Sequence, residues 1–315
     1  MNPPAPEQRT GRPAGLAFTK GHGTENDFVL VPDLDGDLDL DAERVVRLCE
    51  RRAGLGADGV IRVVRSSRCP EAAQQLAQEP AAEWFMDYRN ADGSAAQMCG
   101  NGVRVFVAYL LREGLVDPSE LAPGGPGLPI TSRGGIKRVY QRADGWLAVD
   151  MGGWTFPAGS EAVARGHDST VHVHGLDVSR PALTLDLGNP HTVAMLTDLD
   201  ELARVDLGGA PLVDPSPPHG TNVELLVALE PEQLGGEVVG RLAMRVHERG
   251  VGETRSCGTG ACAAALAARA WAGPGAPDRW LVDVPGGQVE VRVLGSDRVE
   301  LSGPAILVAD GVTAL

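Results

Sequence analysis

Short runs rich in apolar residues, bounded by glycine-bearing and polar turns, recur along most of this chain, the pattern of short strands. Residues 17–20, 28–31, 60–64 and 83–88 carry such runs in the first third. Residues 130–132, 136–140 and 146–150 follow, and later 183–187, 225–227, 242–246, 280–284, 289–293, 299–301 and 305–309. Between the first two strands, residues 21–27 read as a glycine-bearing polar turn that clusters His22, Asn26 and Asp27. Helical spacing occurs at 41–52, where Asp41 fits an N-cap and Val45, Val46 and Leu48 make the apolar face. Two further helical runs, 103–111 and 261–271, are apolar on nearly every side. Many short strands with one conspicuous helix per half predict a duplicated α+β fold.

Punctuation supports this order. Gly54-Leu55-Gly56-Ala57-Asp58-Gly59 has the G-x-G-x-x-G spacing of a dinucleotide loop, but it follows a helix and opens a strand. A Rossmann turn does the reverse, so a helix end and tight turn explain these glycines better. Residues 66–80 are polar and rich in alanine and glutamine, which predicts a surface insertion with a short helix and makes Cys69 a bystander. Residues 90–93 read as a turn and 123–127 as a flexible loop. The expected division is a disordered tail at 1–15, one half from 16–142 with 303–315, and a second half at 143–302, the handover falling near Ala143.

Both apolar helices open on the same device. Cys99-Gly100-Asn101-Gly102 precedes the first and Cys257-Gly258-Thr259-Gly260 the second, about one domain length apart. A thiol at a helix N-terminus is expected to have a lowered pKa, because free N–H groups and the helix dipole favour thiolate. The glycines let backbone N–H groups approach a ligand, and a carboxylate is the natural guest of such a nest. If the two turns face each other they grip one carboxylate and leave a thiol on each face of the adjacent carbon. One thiolate could then remove a proton and the opposite thiol return one, inverting the centre without a cofactor. A buried single cysteine is the default for either residue alone, but not for two copies of one turn.

Composition narrows the partners. A formal charge of −14 argues against nucleic acid or an anionic membrane. Five cysteines without a regular framework read as reduced thiols in a cytoplasmic protein. Residues 1–14 are proline-rich and polar with no apolar core, unlike a signal peptide, and no stretch is long enough to span a membrane. His172 and His174 share one face of a strand without a third ligand nearby, and Cys257 and Cys262 point apart on a helix, so no metal is expected.

Further motifs complete a resemblance. Asn90-Ala91-Asp92-Gly93-Ser94, Gly188-Asn189-Pro190-His191 and Glu248-Arg249-Gly250-Val251-Gly252-Glu253-Thr254, in order with the two cysteine turns, closely resemble diaminopimelate epimerase from about Phe18 to the C-terminus. The resemblance implies two pseudo-symmetric domains, each a barrel-like mixed or antiparallel sheet wrapped around a central helix, with the active site between them. It implies conversion of LL- to meso-diaminopimelate in lysine and peptidoglycan-precursor synthesis, without pyridoxal phosphate or any other cofactor. It further implies Cys99 and Cys257 as the two bases, and Gly100, Asn101, Gly258 and Thr259 as the carboxylate nest. Asn26 is implied as a substrate contact, Asn90, Asn189, Asn222 and Arg249 as the holders of the distal amino-acid end, and His191 and Glu248 as neighbours that tune protonation, Glu248 also counting among the substrate contacts. Gly59 departs from the pattern, standing where some relatives carry glutamine. A homodimer is carried as the candidate assembly. The rival readings are a proline or hydroxyproline racemase of the same superfamily, a hydrolase built on Cys99, His191 and Asn189, and a thiol redox protein.

Overall fold

The computed structural model describes residues 15–295 and 297–315; the expected N-terminal tail lies almost wholly outside them. The first half contains β1 (Leu16–Gly23), β2 (Asn26–Pro32), α1 (Ala42–Cys49), β3 (Gly59–Arg65), α2 (Ala73–Gln78) and β4 (Trp84–Asn90). It continues with α3 (Gly100–Arg112), β5 (Leu128–Ser132), β6 (Gly135–Gln141) and β7 (Leu147–Gly153). There follow α4 (Gly159–Arg165), β8 (Ser169–His172), β9 (Arg180–Asp186), β10 (Pro190–Met195), α5 (Leu199–Arg204) and β11 (Leu212–Asp214). The chain ends with β12 (Asn222–Leu234), β13 (Glu237–Glu248), β14 (Gly252–Thr254), α6 (Gly258–Ala272), β15 (Arg279–Val284), β16 (Gly287–Leu294), β17 (Arg298–Gly303) and β18 (Ile306–Thr313).

Strand pairing repeats along the chain. In the first half β1–β2 is antiparallel, β2–β3 parallel, β3–β4 antiparallel, β4–β5 parallel, and β5–β6–β7 antiparallel. The series β9–β10, β10–β12, β12–β13, β13–β15 and β15–β16–β17 has the same senses in the same order. The two last strands of these series, β7 and β17, pair antiparallel with each other and join the ribbons into one sheet. The expected α+β duplication is therefore present, down to the position of the long helix after the fourth strand of each series. β18 returns to pair with β1.

Each long helix is central because its sequence leaves it no polar face. In α3 the side chains of Val103, Val105, Phe106, Val107 and Leu110 are buried, and in α6 all residues from Ala261 to Ala268 are. α3 packs on β1–β4, β7 and β18, and α6 on β9, β10, β12, β13 and β15–β17. One hydrophobic core runs through both helices, so the two ribbons share their interior. The alanines of α6 let the strands close in, since each keeps the wall near the helix axis.

Several local expectations need revision. The turn expected at 21–27 shrinks to Thr24 and Glu25, both at positive φ (50° and 61°), because β1 and β2 stay paired out to Gly23 and Asn26. Such a two-residue turn favours glycine or asparagine; here tertiary contacts hold it, with Thr24 Oγ1 2.6 Å from Ser256 Oγ and Glu25 paired to Arg255. β12 and β13 run far past the apolar residues 225–227 and 242–246, as an exposed hairpin whose register slips at Pro231. Helices α4 and α5 were not expected, each being under two turns and too short to show a period. By contrast α1 forms as expected, its Asp41 side chain accepting from the Arg44 N–H at 2.7 Å. The G-x-G-x-x-G segment follows α1 and opens β3, with Gly56 at φ 70°.

The N-termini of α3 and α6 meet over Leu301 of β17. A Cβ added at Gly100 would lie 2.9 Å from Leu301 Cδ2, and one at Gly258 2.8 Å from the same atom and 3.5 Å from the Gly100 Cα. Leu301 itself is fully buried. Leu301→Ala therefore removes the wedge between the two helix starts and is expected to lower unfolding stability by about 2–5 kcal/mol. Urea unfolding measures this, and a loss below about 1 kcal/mol would show that the helices meet without the wedge.

Candidate active site

Each helix start is built alike. Cys99 and Cys257 are the N-caps of α3 and α6, in extended backbone, and each sulfur accepts from the N–H three residues on, Gly102 and Gly260, at 3.4 Å. That leaves the N–H groups of Gly100, Gly258 and Thr259 without an acceptor among the described residues. Two positive helix poles and their free donors thus converge where Gly258 faces Gly100. An anion is what such a place holds best.

Around Cys99, the Asn26 Oδ1 lies 3.5 Å from the sulfur and also accepts from Asn101 Nδ2 at 3.3 Å. Asn101 Nδ2 reaches across the halves to Ser256, whose carbonyl and Oγ are both 3.2 Å away. Asn26 is held from behind by Asp58, which accepts from its Nδ2 at 2.7 Å. Asp58 in turn belongs to an ion network with Arg51, Asp27 and Lys20.

Around Cys257, Thr259 Oγ1 lies 3.6 Å from the sulfur and accepts from Asn189 Nδ2 at 3.3 Å. Asn189 Oδ1 meets His191 Nε2 at 3.1 Å, and His191 Nδ1 meets Glu224 Oε1 at 2.7 Å with both side chains fully buried. The same Glu224 oxygen fills the space a Cβ at Gly260 would need, 2.8 Å away, so glycine is required there. Glu248 accepts from Thr254 Oγ1 and lies near enough to Cys257 to raise its thiol.

The remaining residues of the expected set form the rim. Asn222 sits opposite His191 in the parallel β10–β12 pair, and its Oδ1 accepts from the Arg249 N–H at 2.9 Å. Arg249 is exposed and donates through Nη1 to the His219 carbonyl at 3.0 Å. Asn90 ends β4 opposite Gly59 and donates to Ser94 Oγ at 3.0 Å. A Cβ at Gly59 would run into the Tyr88 ring and come within 3.2 Å of its hydroxyl, so Tyr88 occupies the space beside this glycine. Asn90 reaches the Cys99 cluster only indirectly, through Ala91, whose N–H donates to the Asp58 carbonyl at 3.0 Å.

Reasoning from sequence missed Glu224, Ser256, Thr24, Asp58 and Arg104. Two carried a usable signal: Glu224 is a carboxylate inside the apolar strand run, and Arg104 a lone charge inside the apolar helix run. Ser256 and Thr24 carried none, since their contact joins residues 232 positions apart. The hydrolase arrangement of Cys99 with His191 and Asn189 is not assembled, because both His191 nitrogens are taken by Glu224 and Asn189, on the Cys257 side. His172 and His174 are exposed, and no cluster of three candidate metal ligands occurs among the described residues.

The model of the family described as diaminopimelate epimerase matches residues 18–156 and 183–308. The chain belongs to the diaminopimelate epimerase family. It is 46% identical over 303 residues to the diaminopimelate epimerase of Streptomyces coelicolor, covering 94% of each chain. To that of Thermobifida fusca it is 47% identical over 299 residues, covering 94% of this chain and 97% of the relative. Among solved structures, a PhzF-family phenazine-biosynthesis protein of Bacillus anthracis superposes with a TM-score of 0.60 at 19% identity, over 96% of this chain and 99% of that one, which shows a shared fold. No helix among the described residues is long and apolar enough to cross a membrane.

The lowered thiol pKa expected from the helix dipole is not what the site produces. Burial pushes the Cys99 thiol up to about 11, with Glu248 adding to the rise, against the donors of Gly102 and Asn101. Cys257 is raised well above its ordinary value by burial, then by Glu248 and Glu224. Glu248 is itself raised, chiefly by burial. Desolvation outweighs the helix poles because the thiolate loses water on most sides and gains only one or two N–H donors. Both shifts favour the thiol over the thiolate in the ligand-free protein. Alkylation of Cys99 by iodoacetamide, read by peptide mass, should be slow at pH 7 and rise about tenfold per pH unit through pH 9. A rate that levels off below pH 8 would contradict this.

Proposed function

We propose that this protein interconverts LL- and meso-diaminopimelate by a two-base mechanism without a cofactor. The observation that carries the reading is the meeting of two cysteine-capped helix starts at Gly100 and Gly258, in a chain of this family. The reacting carboxylate sits on the backbone N–H groups of Gly100, Asn101, Gly258 and Thr259, which places the adjacent α-carbon between Cys99 and Cys257. One sulfur, as thiolate, removes the α-proton, and the opposite thiol delivers its own to the other face. Charge that develops on the carboxylate in the transition state meets two helix poles, where preorganised donors stabilise it most.

The other roles follow from position. Asn26 holds Cys99 and contacts substrate. Asn90, Asn189, Asn222 and Arg249 take the distal amino-acid end, where an arginine and amides suit a carboxylate beside an ammonium. Glu248, near Cys257 and raised in pKa, is the group assigned to take its proton and prepare the thiolate. His191, fixed by Glu224 and Asn189, holds the Thr259 side of the nest. We also propose a division into 16–142 with 303–315 and 143–302, with β7 shared at the seam, a homodimeric assembly, and a cytoplasmic location.

Incubation of the reduced protein with LL-diaminopimelate in D₂O tests the reading. The expected result is meso product carrying solvent deuterium at the inverted carbon, with no added cofactor. Absence of exchange, or equal turnover of proline, would sink it. Cys99→Ala and Cys257→Ala should each reduce epimerisation by at least about 10²- to 10⁴-fold, the usual worth of a positioned acid or base. Full activity in either variant would remove the two-base mechanism.

A further inference from the structure

Arg104 lies on the first turn and a half of α3 and is fully buried. Its guanidinium makes one hydrogen bond, from Nη2 to Asn101 Oδ1 at 2.9 Å. Nε and Nη1 have no partner among the described residues, and no carboxylate there forms an ion pair with it. Two glycines make its room. A Cβ at Gly23 would come within 3.1 Å of Nη2, and one at Gly303 within 3.2 Å of Cζ and Nη2. Three other cations near the site do have carboxylate partners: Lys20 pairs with Asp27, Arg51 with Asp27 and Asp58, and Arg255 with Glu25.

A buried guanidinium without a counter-ion is costly, and folds rarely keep one for stability. Its one bond leads to the chemistry. Asn101, which it polarises, donates to Asn26 Oδ1, the oxygen beside the Cys99 sulfur. We infer that Arg104 is a positioning residue that holds a fixed positive charge behind Cys99, there to balance the thiolate and the substrate carboxylate that the resting protein lacks. The inference rests on the proposed epimerase reading for its purpose, but not for its measurement.

The charges that face Cys99 define the balance. Glu248, from β13, opposes ionisation; Tyr88, on β4, is near and neutral; Arg104, from α3, is the one cation that favours it. Burial draws Arg104 down to about 10, which leaves it charged at neutral pH. Its other titratable neighbour is Cys262 on α6, also pushed up by burial, to about 12. With substrate in place, the added negative charge near Gly100 supplies the partner that Arg104 is otherwise without.

Arg104→Gln keeps a donor for Asn101 without the charge, and Arg104→Lys keeps the charge. Iodoacetamide labelling of Cys99 at pH 8, read by peptide mass, is expected to slow about three- to tenfold in R104Q, because the thiolate loses a nearby positive charge. R104K should stay within about twofold of the parent. Thermal unfolding of ligand-free R104Q should occur at or above the parent temperature, since an unpaired buried charge is removed. An R104Q protein that fails to fold or melts well below the parent would overturn the inference, by showing that the guanidinium is structural. Unchanged labelling in R104Q would overturn it too, as would equal slowing in R104K, which would assign the effect to shape and not charge. Labelling needs no turnover, so a protein inactive on diaminopimelate would defeat the proposed function and leave this result readable.

Discussion

Two helices pointing their N-termini at each other form an unfavourable arrangement on electrostatic grounds, because each end carries about half a positive charge. Burial holds them there. α3 and α6 have no polar face to turn outward, and the sheet closes around both in one continuous core. Leu301 and the bare Cα atoms of Gly100 and Gly258 set how near the ends come. A carboxylate bound there, as proposed, would relieve the strain of like poles and unpaired N–H groups. The features that cost stability in the ligand-free protein are thus the ones that make a binding site.

The pseudo-symmetry of pairing makes this geometry reproducible on both sides. Each ribbon uses the same order of antiparallel and parallel neighbours, and each places its long helix after the fourth strand. The β7–β17 pair joins the last strand of one series to the last of the other. The two sides are nevertheless not equal in charge. Glu248 acts on both thiols, but Cys99 is also backed by amides and by Arg104, whereas Cys257 faces a second carboxylate, Glu224. Two thiols in one kind of turn therefore meet different fields.

Much of this was legible in the chain. Short apolar runs located nearly every strand, and the absence of a polar stripe at 103–111 and 261–271 marked two interior helices. The repeated Cys-Gly-X-Gly turn marked the two thiols that cap these helices. Where the reading fell short, the cause was contact between distant residues. Thr24 and Glu25 sit at positive φ because Ser256 and Arg255 hold them. Glu224 earns its place through His191 and Gly260, neither near it in sequence. The thiol pKa expectation erred in sign because it counted the helix dipole and not the loss of water, which depends on what the rest of the fold covers.

The sequence by itself determined that there are two buried helices, each opened by a thiol and glycines, since periodicity and side-chain bulk are properties of neighbouring residues. Only the tertiary structure decided that these openings face each other, which charges surround them, and that burial raises both thiols. Those outcomes depend on long-range packing and desolvation, which sum over residues from both halves of the chain and leave no local pattern to read.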